Sequence, residues 1–293
     1  MRVQDAARIF NSGEISRLAR GDLSFVNRVA EDFLLIDPKN ISISDIFEKT
    51  YLEVEKLYRF EYVYKNTIVN KILLGRHSLN TATMLTEFRV DKNIADCVVV
   101  NGISTCYEIK TEFDSLIRLQ EQLDSYQKTF DRVYVVIDEK HTNNVSSEVT
   151  DSVGIISFTK KNTLSVVKKA DDISPDLFSI DIAMNSMRSG EYKLLAEKLS
   201  GNIPDVGNIY MFDACREIIH RYDPLDVKIQ YREIIKNSRK NNRSLLDNLP
   251  RSLKNVGISY SLSVALQKKL LNLLQDGYER NSYVLSRSQR ETK

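Results

Sequence analysis

Three residues whose side chains could do chemistry together lie on two neighbouring segments of the sequence. Asp96 interrupts the apolar run 94–100, and Glu108 and Lys110 stand at the end of the next apolar run, which starts at residue 103. An unpaired carboxylate is costly within an apolar strand, so these interruptions favour a functional role. Carboxylate oxygens are preferred ligands of hard cations such as Mg²⁺. Such a cation, with a lysine beside it, is suited to hydrolysis of a phosphodiester.

The turn between these two segments decides whether Asp96 and Glu108 share a face of the sheet. A two-residue Asn-Gly turn pairs Val100 with Ile103 and sends Asp96 to the face opposite Glu108. A three-residue loop with a glycine bulge pairs Val99 with Ile103 instead. Asp96 then lies diagonal to Glu108, about 7–8 Å away between Cα atoms, on the same face. The catalytic interpretation therefore predicts the bulge.

The elements around these residues predict a mixed α/β fold. Helical patterns over 1–40, 46–58 and 63–73 are followed by alternating or β-rich runs, then by an amphipathic helix and further strands. The apolar run 132–138 is typical of a strand buried on both faces. From residue 172 onward the pattern is helical again. The expected strands are 85–90, 94–100, 103–109, 132–138, 153–158 and 163–167, with the amphipathic helix at 113–130.

This order predicts three parts along the chain. Residues 1–61 form an N-terminal helical region, residues 62–170 an α/β core, and residues 171–293 a C-terminal helical region. Within the core, the order of three strands, a helix and a strand gives an antiparallel meander followed by a crossover to a parallel strand.

Glu87 supplies a further carboxylate, on the strand before Asp96, with Arg89 two residues on. Glu87, Asp96 and the triplet Glu108-Ile109-Lys110 stand in the order that the PD-(D/E)XK nuclease superfamily shows. The stretch 62–137 also resembles a family of poorly characterised bacterial and phage proteins in that superfamily. Glu87 departs from the superfamily pattern, because the leading glutamate often lies on the first helix.

Gln122 and Tyr126 lie one helical turn apart, and they resemble the QxxxY element of one branch of this superfamily. The resemblance implies a restriction-endonuclease-like αβββαβ core and nuclease activity with Mg²⁺, for which Mn²⁺ substitutes. It implies metal binding by Asp96, Glu108, Ile109 and Glu87, and a catalytic role for Lys110. Many nucleases of this superfamily act as dimers, so a homodimer is a further expectation. Packing in the core is the alternative role for Tyr126.

The segment 228–254 carries the densest run of basic side chains and is the candidate phosphate-binding face. A solvated helix face would explain its composition almost as well. The residues assigned to nucleic-acid binding on this basis, together with two near the candidate site, are Arg89, Arg118, Lys236, Arg239, Lys240 and Arg243.

The bulk composition limits the class of protein. Lys and Arg number 42 against 40 Asp and Glu, so the net charge of +2 does not by itself indicate a nucleic-acid binder. The three cysteines form no metal-binding pair, and no apolar run is long enough to span a membrane. We expect a cytoplasmic enzyme acting on nucleic acid, DNA rather than RNA. The alternative is an inactive module of the same fold that binds nucleic acid, or a protein partner through its C-terminal helical region.

Overall fold

The chain divides into two compact units that do not follow the predicted three-part order. In this computed structural model, which describes residues 1–141, 145 and 149–275, the first unit is Met1–Asn66 with Asn242–Lys293. The second unit is Thr67–Asn241. The expected C-terminal region 171–293 is therefore split between the units, because its helices up to residue 238 bury their apolar sides in the same core as the sheet.

The first unit is helical, as predicted for the N-terminal residues. Rings of Phe10, Phe47, Tyr51 and Tyr62 pack at its centre. The fourth helix is capped by Ser42, whose hydroxyl accepts the Asp45 N–H. The helices are α1 Val3–Ala7, α2 Ser12–Ala19, α3 Ser24–Asp32, α4 Ile43–Leu57 and α5 Glu61–Ile68, which runs on into the second unit; after residue 241 come α12 Arg243–Asn248, α13 Lys254–Ser259 and the helical residues 264–275.

A mixed six-stranded sheet organises the second unit, and its strands follow the chain in spatial order β1 to β6. The first three strands are antiparallel, β3, β4 and β5 are parallel, and β6 returns antiparallel. This arrangement confirms the predicted meander and crossover. The strands are β1 Thr83–Val90, β2 Asn93–Val100, β3 Ser104–Lys110, β4 Arg132–Asp138, β5 Gly154–Phe158 and β6 Leu164–Lys168.

Helices of the second unit share one core with the sheet. Apolar side chains of the crossover helix and of the four helices after residue 179 pack with those of the strands. The crossover helix is shorter than the predicted 113–130, since residues 111–118 form a hydrogen-bonded loop. The helices are α6 Leu74–Arg76, reached from α5 through a π-helical turn Val69–Leu73, then α7 Leu119–Gln127, α8 Ile180–Asn185, α9 Ser189–Ser200, α10 Met211–Ile219 and α11 Pro224–Ser238.

The turn between β2 and β3 differs from both predicted alternatives. Val100 pairs with Ser104, so the loop has three residues, and Gly102 adopts a φ of 107° that favours glycine. The partner of Val100 is shifted by one residue from the two-residue turn, and the partner of Val99, which is Thr105, is shifted by two residues from the bulged loop. The pairing of β2 with β3 ends at Cys97 opposite Tyr107, and Asp96 contacts the end of β3 through its side chain, which accepts the Ile109 N–H.

Within the described part of the chain, no helix combines the length and the apolar composition that crossing a bilayer requires.

Candidate metal and catalytic site

The site lies where β1 and β2 both reverse the face of the sheet to which their alternate side chains point. Pairing is regular on either side of Glu87, with Thr86 opposite Cys97 and Phe88 opposite Ala95, but Glu87 itself has a left-handed φ of 52°. A non-glycine residue in this conformation costs about 1–2 kcal/mol. Such strain occurs preferentially at functional positions.

This reversal of side-chain alternation changes which residues of β2 face the helices. Val98 and Val100 lie in the core shared with α7, whereas on the other side of the break Ala95 takes that place. Asp96 therefore sits at the reversal, opposite Glu87 in register. A carboxylate oxygen of Glu87 and one of Asp96 lie within 4.8 Å of each other. Two acidic side chains that were predicted to act together are thus adjacent.

Asp96 is also tied to the end of β3. Its Oδ2 accepts the backbone N–H of Ile109 at 2.7 Å, so a side chain takes the place of a ladder partner at this point. The N–H and C=O of one strand residue point toward the same neighbouring strand. The carbonyl of Ile109 therefore opens toward the side on which Asp96 lies.

Glu108 and Lys110 project from β3 toward α7 and form a buried network with it. Lys110 Nζ donates to Glu108 Oε1 and to Gln122 Oε1, each at 2.8 Å. The Tyr126 hydroxyl lies 3.0 Å from Glu108 Oε2 and 2.9 Å from the carbonyl oxygen of Ile94. Glu108 is 2% exposed and Lys110 8%. The predicted QxxxY pair thus contacts the predicted Glu-x-Lys pair directly.

Burial dominates the electrostatics of this network. It raises the pKa of Glu108, and the neighbouring Lys110 ammonium, with the Tyr126 and Gln122 hydrogen bonds, offsets part of that rise. Burial, together with the charge of Glu108, also raises the pKa of the Tyr126 hydroxyl. Tyr126 is therefore a neutral hydrogen-bond donor near neutral pH.

The donor set suits a hard divalent cation. Glu87, Asp96 and the carbonyl of Ile109 offer only oxygen atoms, which is the chemistry that Mg²⁺ and Mn²⁺ prefer. Glu87 is exposed and Asp96 partly exposed, so solvent reaches these carboxylates. Glu108 differs, because both of its oxygens are held by Lys110 and Tyr126.

The structure places the predicted nucleic-acid-binding residues at several separate positions. Arg89 is exposed on β1 two residues after Glu87, and the exposed Arg118 directs Nη2 to Asn93 Oδ1 at 3.5 Å. Lys236 is half-buried on α11, and Lys240 is exposed just beyond that helix.

Two further arginines from that set have internal partners. Arg239 is a correction to the prediction, since its guanidinium pairs with the buried Glu191 at 2.6 Å and lies over the ring of Phe88. Arg243 belongs to the first unit and pairs with Asp247 at 3.3 Å.

The basic segment 228–254 is not one solvated face. Lys228 is 2% exposed and its Nζ lies 3.2 Å from Asp131 Oδ1, while Arg232 Nη1 lies 2.9 Å from Asp131 Oδ2. These cations hold the start of α11 against the loop before β4. Local sequence around these cations does not predict this contact, because the acidic partner is far away along the chain.

The loop 111–118 is the part of this region that sequence reasoning missed. It was assigned to the helix because Leu116 continues the apolar stripe of α7. Asp114 Oδ2 instead accepts both the backbone N–H and the hydroxyl of Thr111. A threonine followed three residues later by an acidic residue is also the pattern of a capping box, so this spacing favoured the helix rather than the loop.

Comparison with known proteins places the site inside a recognised family region. The family model described as Bacteriophage P4 protein cII matches residues 55–260. Protein cII of Enterobacteria phage P4 is 31% identical over 110 residues, which are 38% of this chain and 36% of that protein. The match thus spans about a third of the relative's length.

A solved structure, the SPO1766 protein of unknown function from Silicibacter pomeroyi, aligns with 44% of this chain and 86% of its own. Its sequence identity is 12% and the TM-score is 0.28, too low to support an argument about fold. The names of these proteins state no reaction.

Proposed function

We propose that this chain, which belongs to the Bacteriophage P4 protein cII family, is a Mg²⁺-dependent nuclease that hydrolyses phosphodiester bonds of DNA. The proposal includes a restriction-endonuclease-like core of the PD-(D/E)XK type, to which the strands and helix from β1 to β4 belong. The observation that carries it is the convergence of Asp96, Glu108, Lys110, Gln122 and Tyr126 at the end of β3.

Glu87, Asp96 and the Ile109 carbonyl would hold the cation, and Glu108 would complete the set after exchanging its contact with Lys110. The cation supplies charge neutralisation of the scissile phosphate and a more acidic bound water. Lys110 would then orient the attacking water and stabilise negative charge on the phosphoryl oxygens. Gln122 fixes the position of the Lys110 ammonium, and Tyr126 fixes that of the Glu108 carboxylate.

Cleavage assays on matched variants test this proposal. Wild-type protein, Lys110→Ala and the control Lys128→Ala would be incubated with linear, circular and single-stranded DNA and with RNA, in EDTA, Mg²⁺ or Mn²⁺. Lys128 is an exposed lysine at the end of α7, so its loss removes an equal charge outside the network. We expect metal-dependent cleavage of DNA by the wild type and by Lys128→Ala, and none by Lys110→Ala.

Metal binding is measured separately as thermal stabilisation. A ligand that binds only the folded state raises stability by about 2.7 kcal/mol at a hundredfold excess over its Kd. Wild type should melt at a higher temperature with Mn²⁺, and Asp96→Asn should lose this shift. Full cleavage by Lys110→Ala would refute the assignment. Absence of both cleavage and stabilisation in the wild type would favour the inactive binding module.

A further inference from the structure

The loop between β3 and α7 is rigid and at the same time presents large apolar side chains to solvent. Asp114 Oδ2 binds the Thr111 N–H and hydroxyl at 2.8 and 2.7 Å, and Thr111 Oγ1 accepts the Phe113 N–H at 3.2 Å. Phe113 is 60% exposed and Ile117 is 92% exposed. A loop fixed by its own hydrogen bonds holds these side chains outward rather than letting them fold inward.

An open recess of about 450 Å³ lies beside Ile117. It is lined by Leu116, Ile117, Leu119 and Gln120, so an amide side chain accompanies three apolar ones. This volume falls within the range of small-molecule sites, and one nucleobase would fill part of it. A base offers what this lining can recognise, namely an apolar ring face for the aliphatic side chains and polar edges for the amide.

The recess is next to the catalytic network along the chain and in space. Lys110 precedes the loop directly, and Gln122, on the first turns of α7, bonds Lys110 Nζ at 2.8 Å. Arg118, which is exposed, lies between the lining residues Ile117 and Leu119 along the chain, and its Nη2 lies 3.5 Å from Asn93 Oδ1. An apolar surface with an adjacent guanidinium complements a nucleotide, which combines a flat base with an anionic phosphate.

We propose that this recess receives an unstacked base of the nucleic-acid substrate, so that the enzyme acts on single-stranded or locally melted DNA. Aliphatic and aromatic side chains at other nucleic-acid interfaces act in this way, by inserting against bases that have left the stack. This inference rests on the proposed function for the identity of the substrate. It adds the substrate class and the residues that select it, chiefly Ile117 and Leu116.

The test measures base binding without requiring cleavage. Single-stranded oligonucleotides containing 2-aminopurine, and the same sequences as fully paired duplexes, would be titrated with the Lys110→Ala protein in the presence of Mg²⁺. Ile117→Ser would be added to that protein. Ile209→Ser is the matched control, because Ile209 is 87% exposed on the loop that precedes α10.

We expect Ile117→Ser to weaken single-strand binding by about tenfold, the scale of losing one large apolar contact with the base, and to change the 2-aminopurine fluorescence. Duplex binding and the melting temperature should stay unchanged, and Ile209→Ser should affect none of these quantities. Equal single-strand affinity of Ile117→Ser and Ile209→Ser would overturn the inference. So would a preference of the parent protein for the duplex.

The two proposals fail separately. Cleavage by the wild type together with Ile117-independent binding removes the base recess and leaves the nuclease. Absence of cleavage by the wild type together with Ile117-dependent binding of single strands removes the nuclease and leaves a base-binding module.

Discussion

Replacing Asp131 by asparagine is a stringent test of how the second unit is held together. The Asp131 carboxylate lies just before β4 and is 13% exposed. Its Oδ2 accepts the backbone N–H and the hydroxyl of Ser104, both at 2.7 Å, and lies 2.9 Å from Arg232 Nη1. Its Oδ1 lies 3.2 Å from the buried ammonium of Lys228. One side chain therefore connects the start of β3, the loop before β4 and helix α11.

The expected loss is large because of Lys228 rather than because of hydrogen bonds alone. Asparagine keeps the shape of the side chain and an oxygen for Ser104, but it removes the only carboxylate within ion-pair distance of Lys228 among the described residues. Leaving a buried charge without its counter-ion costs about 3–5 kcal/mol. We therefore expect Asp131→Asn to lower the free energy of unfolding at pH 7 by about that amount.

The pH dependence of the stability difference between wild type and Asp131→Asn is an independent test of the role of the Asp131 carboxylate. Burial alone would raise the pKa of Asp131, but the Ser104 hydrogen bonds and the charges of Lys228 and Arg232 together hold it below its usual 3.8. A carboxyl with a lowered pKa contributes stability that is present above its unfolded pKa and is lost as pH falls through its folded pKa. The difference between wild type and Asp131→Asn should therefore shrink below about pH 4.

Urea unfolding followed by circular dichroism, at pH 7 and at steps down to pH 3, measures both quantities. Lys228→Met is combined with Asp131→Asn as a compensating substitution. It removes the buried charge that Asp131→Asn leaves without a counter-ion and keeps an apolar side chain of similar length. The double variant should recover much of the stability that Asp131→Asn loses, giving a coupling energy well above 1 kcal/mol. Asp131→Asn within 1 kcal/mol of wild type at pH 7, or no recovery in the double variant, would refute this account.

Further predictions concern the candidate site and its surroundings. Tyr126→Phe should lower the free energy of unfolding by about 1–3 kcal/mol, since it removes the one hydroxyl proton that the buried Glu108 carboxylate and the Ile94 carbonyl share. Tyr134→Phe, its control on β4, should change the free energy of unfolding by less than about 0.5 kcal/mol in urea titrations. Glu87→Gly should unfold at a higher urea concentration than Glu87→Ala, because only glycine adopts the positive φ without strain. Both variants should lose the metal-dependent stabilisation. Equal urea midpoints would contradict the inference that the backbone is strained at Glu87. Arg239→Gln should lower the free energy of unfolding by about 3–5 kcal/mol, because it leaves the buried Glu191 carboxylate without its counter-ion. The salt dependence of DNA binding, measured by fluorescence anisotropy, should stay unchanged.

Short-range patterns were sufficient to predict most of the sheet. The runs that became β2, β3 and β4 are rich in β-branched and other apolar residues and are bounded by turn signals, so local sequence was enough to identify them as strands. The crossover connection then fixes β4 as parallel to β3. The pairing of Glu108 and Lys110 with α7 follows from the same local geometry, since alternate residues of β3 share a face.

Features that depend on distant contacts were not predictable in this way. The break at Glu87 arises because two strands turn over together, and neither strand alone carries a glycine that would mark it. The burial of Lys228 depends on Asp131, which belongs to another segment of the chain. A lysine in an amphipathic helix is normally solvated, so the composition of the helix favoured the wrong interpretation.

The two charged clusters of the second unit lie at opposite ends of β3, and their difference supports the functional assignment. At the start of the strand, Asp131 has both oxygens occupied by Ser104, Lys228 and Arg232, which leaves little for a ligand. At its end, Asp96 and Glu87 bring two carboxylates together, partly open to solvent and across a strained backbone. Like charges held this close oppose folding, and a bound divalent cation would remove that repulsion. The closed cluster suits a structural role, and the open one is where the proposed metal-dependent chemistry would take place.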